Sequence, residues 1–77
     1  MTLTLEQLRA DVADCLGEAP DDIPADENLA DLGLDSVRIM TLLEGWRRTH
    51  GVETSFVDLA ERPALDAWAA LLGVRPS

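Results

Sequence analysis

Ser36 is the residue of this sequence best placed to carry chemistry. It follows Asp35 in the stretch Leu32-Gly33-Leu34-Asp35-Ser36-Val37, where an apolar helical pattern begins. Asp is a favoured N-cap, so Ser36 takes the first helical position, beside unpaired peptide N–H groups and the positive end of the helix dipole. A negatively charged group such as phosphate is stabilised there. Two interpretations stay open: Ser36 anchors a phosphate-linked group, or Asp35 and Ser36 only cap a helix.

A catalytic role for Ser36 is disfavoured because a serine nucleophile needs a base within hydrogen-bond reach. The single histidine, His50, lies fourteen residues further along the predicted helix, or about 21 Å away at about 1.5 Å per residue. The sequence contains no Gly-rich phosphate loop, metal-ligand cluster or Cys–His pair. We therefore predict no catalytic residue, no metal site and no enzymatic activity. Cys15 stands alone, which excludes an internal disulfide and favours a small buried apolar role.

The charge of the chain is concentrated in its first half. The net charge is −9, and residues 1–36 hold ten acidic residues against Arg9 alone, whereas residues 37–77 are balanced. Such a polyanion disfavours nucleic acid and anionic membranes and favours basic protein surfaces, although a merely solubilising acidic surface is the alternative. With no signal-like or membrane-spanning run, we expect a cytoplasmic monomer, a single domain of residues 1–77 with an ordered core of about 4–73.

Apolar spacing and capping residues predict an all-α fold. The first helix is predicted over Leu5–Leu16 behind a Thr4–Gln7 capping box. A nineteen-residue connection, 17–35, follows; we expect one short turn at about 27–32 and apolar anchors at Ile23, Leu29, Leu32 and Leu34. A second helix runs from Ser36 to about Thr49, a short third opens at Ser55, and a fourth has Pro63 in its first turn and ends at Gly73. The prediction is a four-helix bundle with a short third helix, a long first loop and a frayed tail over 74–77.

The second helix presents two faces. Its core stripe comprises Ile39, Leu42, Leu43 and Trp46. Val37 and Met40 lie outside that stripe, on the same side as Ser36, which suggests a docking surface for a partner. Scattered exposed apolar residues are also normal on protein surfaces, and that alternative stays open.

The segments Asp26-Glu27-Asn28-Leu29, Asp31 and Gly33-Leu34-Asp35-Ser36-Val37 resemble the attachment motif of acyl and peptidyl carrier proteins. The resemblance extends from about Leu5 to Leu72. It implies that Ser36 receives 4′-phosphopantetheine from coenzyme A through a separate phosphopantetheinyl transferase, with Asp35 at a position that the transferase reads. The thiol of that arm would then carry an acyl group as a thioester between enzymes.

A narrower resemblance is to the aryl carrier domains of siderophore-type nonribosomal peptide synthetases. It rests on Ser36-Val37-Arg38, Trp46-Arg47-Arg48 and His50-Gly51, and continues through Phe56-Val57 and Leu65-Asp66-Ala67-Trp68. Ordinary peptidyl carriers usually have a second glycine where this chain has Leu34. The chain also departs from the aryl pattern, with an extra residue between Gly51 and Phe56 and with Ala64 in place of a frequent Thr. Aryl carriers often follow an isochorismatase domain, whereas this chain begins at Met1 and is expected to be free-standing.

The resemblance implies specific partners. An adenylating ligase would load an aryl acid, and a condensation domain or acyltransferase would accept it. Met40, Phe56 and Ala60 match positions that dock a condensation domain, and Val37 lies beside them. One alternative is an acyl carrier protein of polyketide or fatty-acid synthesis. Another is an unmodified helical interaction module in which Ser36 only caps; a helical DNA-binding protein is disfavoured by the net charge.

Overall fold

A computed structural model describes residues 3–74. Within that range the chain forms four α-helices: α1 (Leu5–Leu16), α2 (Ser36–His50), α3 (Phe56–Glu61) and α4 (Leu65–Leu72). Two 3₁₀ turns, Pro20–Asp22 and Leu29–Leu32, interrupt the connection between α1 and α2. The predicted all-α bundle with a short third helix and a long first loop is confirmed. None of the described helices is long and apolar enough to cross a membrane.

The helix ends follow the local chemistry of the sequence. The Thr4 hydroxyl accepts the Gln7 N–H at 3.1 Å, and the Ser55 hydroxyl accepts the Asp58 N–H at 3.3 Å. The reciprocal bond of the first capping box, from the Thr4 N–H to the Gln7 side-chain oxygen, is not formed among the described residues, and the Gln7 Nε2 atom donates to Asp11 Oδ1. Pro63 was expected within the fourth helix. It instead precedes the N-cap residue Ala64, and its carbonyl accepts a hydrogen bond from the first loop.

Two tryptophans join the helices at the centre of the core. Trp46 on α2 and Trp68 on α4 are buried and meet edge to face, with ring centroids 5.9 Å apart. Each indole N–H has a partner: Trp46 Nε1 donates to Asp11 Oδ2 at 2.8 Å, and Trp68 Nε1 donates to the Leu59 carbonyl at 2.9 Å. Both rings therefore contribute apolar burial without leaving a buried donor unpaired. The predicted core stripe of α2, including Trp46, is buried as expected.

The long loop is held against the bundle along its length. Ile23, Leu29 and Leu34 are buried, and Leu32 packs against the core, so the predicted anchors are confirmed. Burial of each such side chain contributes roughly 1.5–3 kcal/mol. The Leu29 N–H donates to the Pro63 carbonyl at 2.6 Å, and the Asp66 N–H donates to the Ala25 carbonyl at 2.9 Å. The loop is thereby fixed to the junction of α3 and α4. The expected fraying of 74–77 falls mostly on 75–77, outside the described residues.

A matched pair of substitutions on α2 tests this division into core and surface. Leu43 is fully buried, whereas Met40, on the preceding turn, is 42% exposed. We expect Leu43→Ala to lower the free energy of unfolding by about 2–5 kcal/mol because it leaves a cavity, and Met40→Ala to lower it by less than about 1 kcal/mol. Urea unfolding followed by tryptophan fluorescence measures both. Equal losses in the two variants would contradict the assignment of Met40 to the surface.

Candidate functional site

The start of α2 is set by the last residues of the loop. Gly33 ends the second 3₁₀ turn with φ of +104°, a left-handed conformation that glycine adopts without steric cost. The chain then turns so that Leu34 is buried, and the Leu34 N–H donates to the Leu29 carbonyl at 3.0 Å. Because Leu34 is anchored in the core, Asp35 and Ser36 emerge at a fixed point on the surface.

Asp35 caps α2 as the sequence predicts. Its backbone is extended, and its Oδ1 atom accepts the Arg38 N–H at 2.9 Å. The Arg38 side chain returns to the same residue, with Nη1 lying 3.2 Å from Asp35 Oδ2, and it also approaches the Gly33 carbonyl at 3.5 Å. This ion pair was not predicted from the sequence, although the three-residue spacing of Asp35 and Arg38 suits an ion pair on a helix. Both side chains are about half exposed, so the pair orients the cap rather than adding much stability.

Ser36 is exposed at the first position of α2. No hydrogen bond from residues 3–74 engages its hydroxyl, and the helix ladder begins only with the Ile39 N–H, which donates to the Asp35 carbonyl. The peptide N–H groups of Ser36 and Val37 therefore point outward at the positive end of the helix dipole. A reachable hydroxyl beside such N–H groups fits a covalently attached phosphodiester, whose negative charge they stabilise. Arg38 offsets the charge of the neighbouring Asp35 carboxylate.

Exposed apolar side chains lie on α2, next to Ser36 in sequence, and on α3. Val37 is 73% exposed and Met40 is 42% exposed, as the helical spacing predicted, and Ala60 on α3 is also exposed. Phe56 is only partly exposed because its ring packs against the core, which limits how much of it a partner could contact. Val57, 61% exposed on α3, was not singled out from the sequence. A short helix with two adjacent apolar residues, Phe56 and Val57, could have suggested that one of them points outward. The docking role of these residues stays a prediction.

The other reactive side chains do not converge on Ser36. His50 ends α2 at the opposite pole from Ser36. Among residues 3–74, no group of three acidic, histidine or cysteine side chains could hold a metal ion. Cys15 is partly buried against the core, and burial raises the pKa of its thiol, an effect that the Arg38 charge opposes. A protonated, half-buried thiol is a weak nucleophile, in agreement with the predicted apolar role.

Comparison with known proteins identifies relatives of this chain. Residues 6–72 match the family model described as "Phosphopantetheine attachment site". The chain is 54% identical over 72 residues to an isochorismatase of Bacillus subtilis, covering 94% of this chain and 23% of that protein. It is 48% identical over 73 residues to the acyl carrier protein ScoB of Streptomyces coeruleorubidus, covering 95% of this chain and 85% of that protein. It is 46% identical over 67 residues to the phenyloxazoline synthase MbtB of Mycolicibacterium paratuberculosis, covering 87% of this chain and 6% of that protein. No solved structure is significantly similar.

Substitutions at the two adjacent site residues should separate a capping role from an attachment role. Asp35→Ala removes the side chain that accepts the Arg38 N–H, and we expect it to lower the free energy of unfolding by about 1 kcal/mol. Ser36→Ala removes a hydroxyl that no described residue engages, and we expect a change below about 0.5 kcal/mol. Urea unfolding of the unmodified proteins compares the two. A loss in Ser36→Ala as large as that in Asp35→Ala would return Ser36 to a structural role.

Proposed function

The chain belongs to the phosphopantetheine-attachment family of carrier domains, and from this premise we propose that it is a free-standing aryl carrier protein of a nonribosomal peptide pathway. The resemblance predicted from the residues around Ser36 is confirmed by the family match over 6–72. Members of this family bear 4′-phosphopantetheine and are modified and loaded by separate enzymes. The chain is therefore a non-catalytic carrier.

We assign the attachment to Ser36. When bound, the phosphopantetheine arm supplies a thiol that holds an acyl group as a thioester. The Ser36 hydroxyl offers the point of attachment, and the N–H groups of Ser36 and Val37 stabilise the negative charge there. Asp35, held by Arg38, fixes the start of α2 and presents a carboxylate for a transferase to read. The exposed side chains of Val37 and Met40 offer an apolar contact for the enzymes that must approach the arm.

The aryl assignment is carried by the relationship to the Bacillus isochorismatase. This chain matches 23% of that protein, as expected if the relative contains a carrier domain of the type that often accompanies an isochorismatase domain. The likeness to phenyloxazoline synthase, whose name denotes an aryl-bearing product, supports the same class of cargo. The chain spans only a small part of both relatives, so the loading ligase and the condensation or acyltransferase partner are part of the proposal. We also propose that the carrier works in the cytoplasm, where coenzyme A and ATP are available for these steps.

A second candidate is an acyl carrier protein of polyketide or fatty-acid synthesis. The observation that favours it is the likeness to ScoB, which this chain matches over 85% of that protein's length. That relative has the size of a separate carrier protein, whereas the isochorismatase and the phenyloxazoline synthase are much longer. The two candidates share the attachment site and differ in the group that is loaded.

Loading of the modified protein distinguishes the two cargo classes. We expect the phosphopantetheine-bearing chain to gain the mass of a hydroxybenzoyl group when incubated with ATP, salicylate and a salicylate-adenylating ligase, and to gain none from malonyl coenzyme A and a malonyltransferase. Intact-protein mass spectrometry follows both reactions. Ser36→Ala serves as the control because it offers no hydroxyl for the arm. Loading with malonyl alone would contradict the aryl assignment and favour the acyl carrier.

A further inference from the structure

The exposed face of α2 is basic at the end opposite Ser36. At about 100° per residue, Arg47 lies within about 20° of both Ser36 and Met40 around the helix axis, and Arg48 lies within about 20° of Val37. Both arginines are exposed in the last turn of α2. Along the exposed side of α2, the apolar residues Val37 and Met40 are therefore followed by two positive charges, Arg47 and Arg48.

These charges are not neutralised within the described part of the chain. No hydrogen bond or ion pair from residues 3–74 engages the Arg48 guanidinium, and Arg47 donates only to the Thr54 carbonyl, at 3.1 Å. The nearest acid along the helix, Glu44, forms no ion pair within that range either. The acids closest in sequence on the following segments, Glu53, Asp58 and Glu61, are likewise unpaired with an arginine. With Arg38, α2 carries three arginines and a single acid in a protein of net charge −9.

A local explanation covers part of this pattern. Cations in the last turn of a helix interact favourably with the negative end of its dipole, by about 0.3–1 kcal/mol. That effect requires positive charge near the C-terminus of α2, but it requires neither the alignment of Arg48 with Val37 nor that of Arg47 with Met40. The alignment instead places the charges within reach of a partner seated on Ser36.

The distance along α2 suits such a contact. Arg47 and Arg48 follow Ser36 by eleven and twelve residues, or about 17 Å at about 1.5 Å per residue. A standard interface buries roughly 800 Å² on each partner, so a circular footprint centred on Ser36 extends roughly 16 Å. An arginine side chain adds several bonds of reach, which brings both guanidinium groups to the rim of that footprint.

We propose that Arg48, assisted by Arg47, binds an acidic patch on the ligase that loads the aryl acid; this inference rests on the proposed function. The ligase meets an arm that ends in a bare thiol and is the same on every carrier, so it must distinguish this carrier by its protein surface. A later enzyme can also recognise the aryl group. Complementary charge at the rim of an interface chiefly accelerates association and selects partners. The basic end of α2 gives the exposed side of this helix an orientation that a ligase of matching charge can read.

The test measures ligase recognition with and without the arm. The modified wild type and its Arg48→Glu variant are loaded with salicylate by a salicylate-adenylating ligase, and kcat/KM for the carrier is determined. Unmodified Ser36→Ala, alone and combined with Arg48→Glu, is then used as a competitor, since it presents the surface without an arm. Arg62→Glu is the matched control: it makes the same change of charge at an exposed residue that lines a depression with Asp26 and Asn28, to which α2 contributes no residue. Arg48→Gln, with helix content checked by circular dichroism, separates recognition from folding.

We expect Arg48→Glu to lower kcat/KM about five- to tenfold through KM, to weaken competition by a similar factor and to flatten the salt dependence of loading. Arg48→Gln should show a smaller loss with unchanged helix content, and Arg62→Glu should stay within about twofold of the wild type. Unchanged loading and competition in Arg48→Glu would overturn the inference while leaving the aryl function standing, and so would an equal loss in Arg62→Glu. Failure of the wild type to accept salicylate would instead contradict the proposed function, and this inference with it.

Discussion

The burial of Leu34 is the constraint on which the site depends. Its side chain lies in the core, so the residues on either side cannot shift along the surface without exposing it to water. Gly33 provides the left-handed turn that precedes this anchor, and Asp35 provides the cap that follows it. Ser36 is therefore displayed at one place and orientation, at the positive end of α2, although its hydroxyl forms no hydrogen bond with the described residues.

The rest of the first loop supports that anchor. Hydrogen bonds from Leu29 and to Ala25 tie the loop to the α3–α4 junction, and the Arg9 Nε atom donates to the Ile23 carbonyl at 3.1 Å. The loop thus depends on elements that are distant in sequence, while the tryptophan pair holds α2 against α4. A small core thus fixes the start of α2, where the proposed attachment residue is exposed.

Local sequence signals predicted most of this architecture. Asp35 and Ser55 are strong N-caps, and Ile39, Leu43 and Trp46 recur at helical spacing, so α2 and α3 could be placed from short-range chemistry. The features missed are those that tertiary contacts decide. Pro63 stands before α4 because its carbonyl receives the Leu29 N–H, and the 3₁₀ turn at Pro20–Asp22 forms where Ile23 must enter the core. The attachment role proposed for Ser36 came from the motif and its family, since the physics of a helix N-terminus alone left the capping interpretation open.

If Ser36 bears the prosthetic group, as we propose, modification of the chain must depend on the Ser36 hydroxyl. The wild type and Ser36→Ala are incubated with coenzyme A, Mg²⁺ and a promiscuous phosphopantetheinyl transferase, and the intact proteins are weighed by mass spectrometry. We expect one phosphopantetheine to be added to the wild type and none to Ser36→Ala. Modification of Ser36→Ala, or an unmodified folded wild type beside a control carrier that the same transferase modifies, would contradict this proposal.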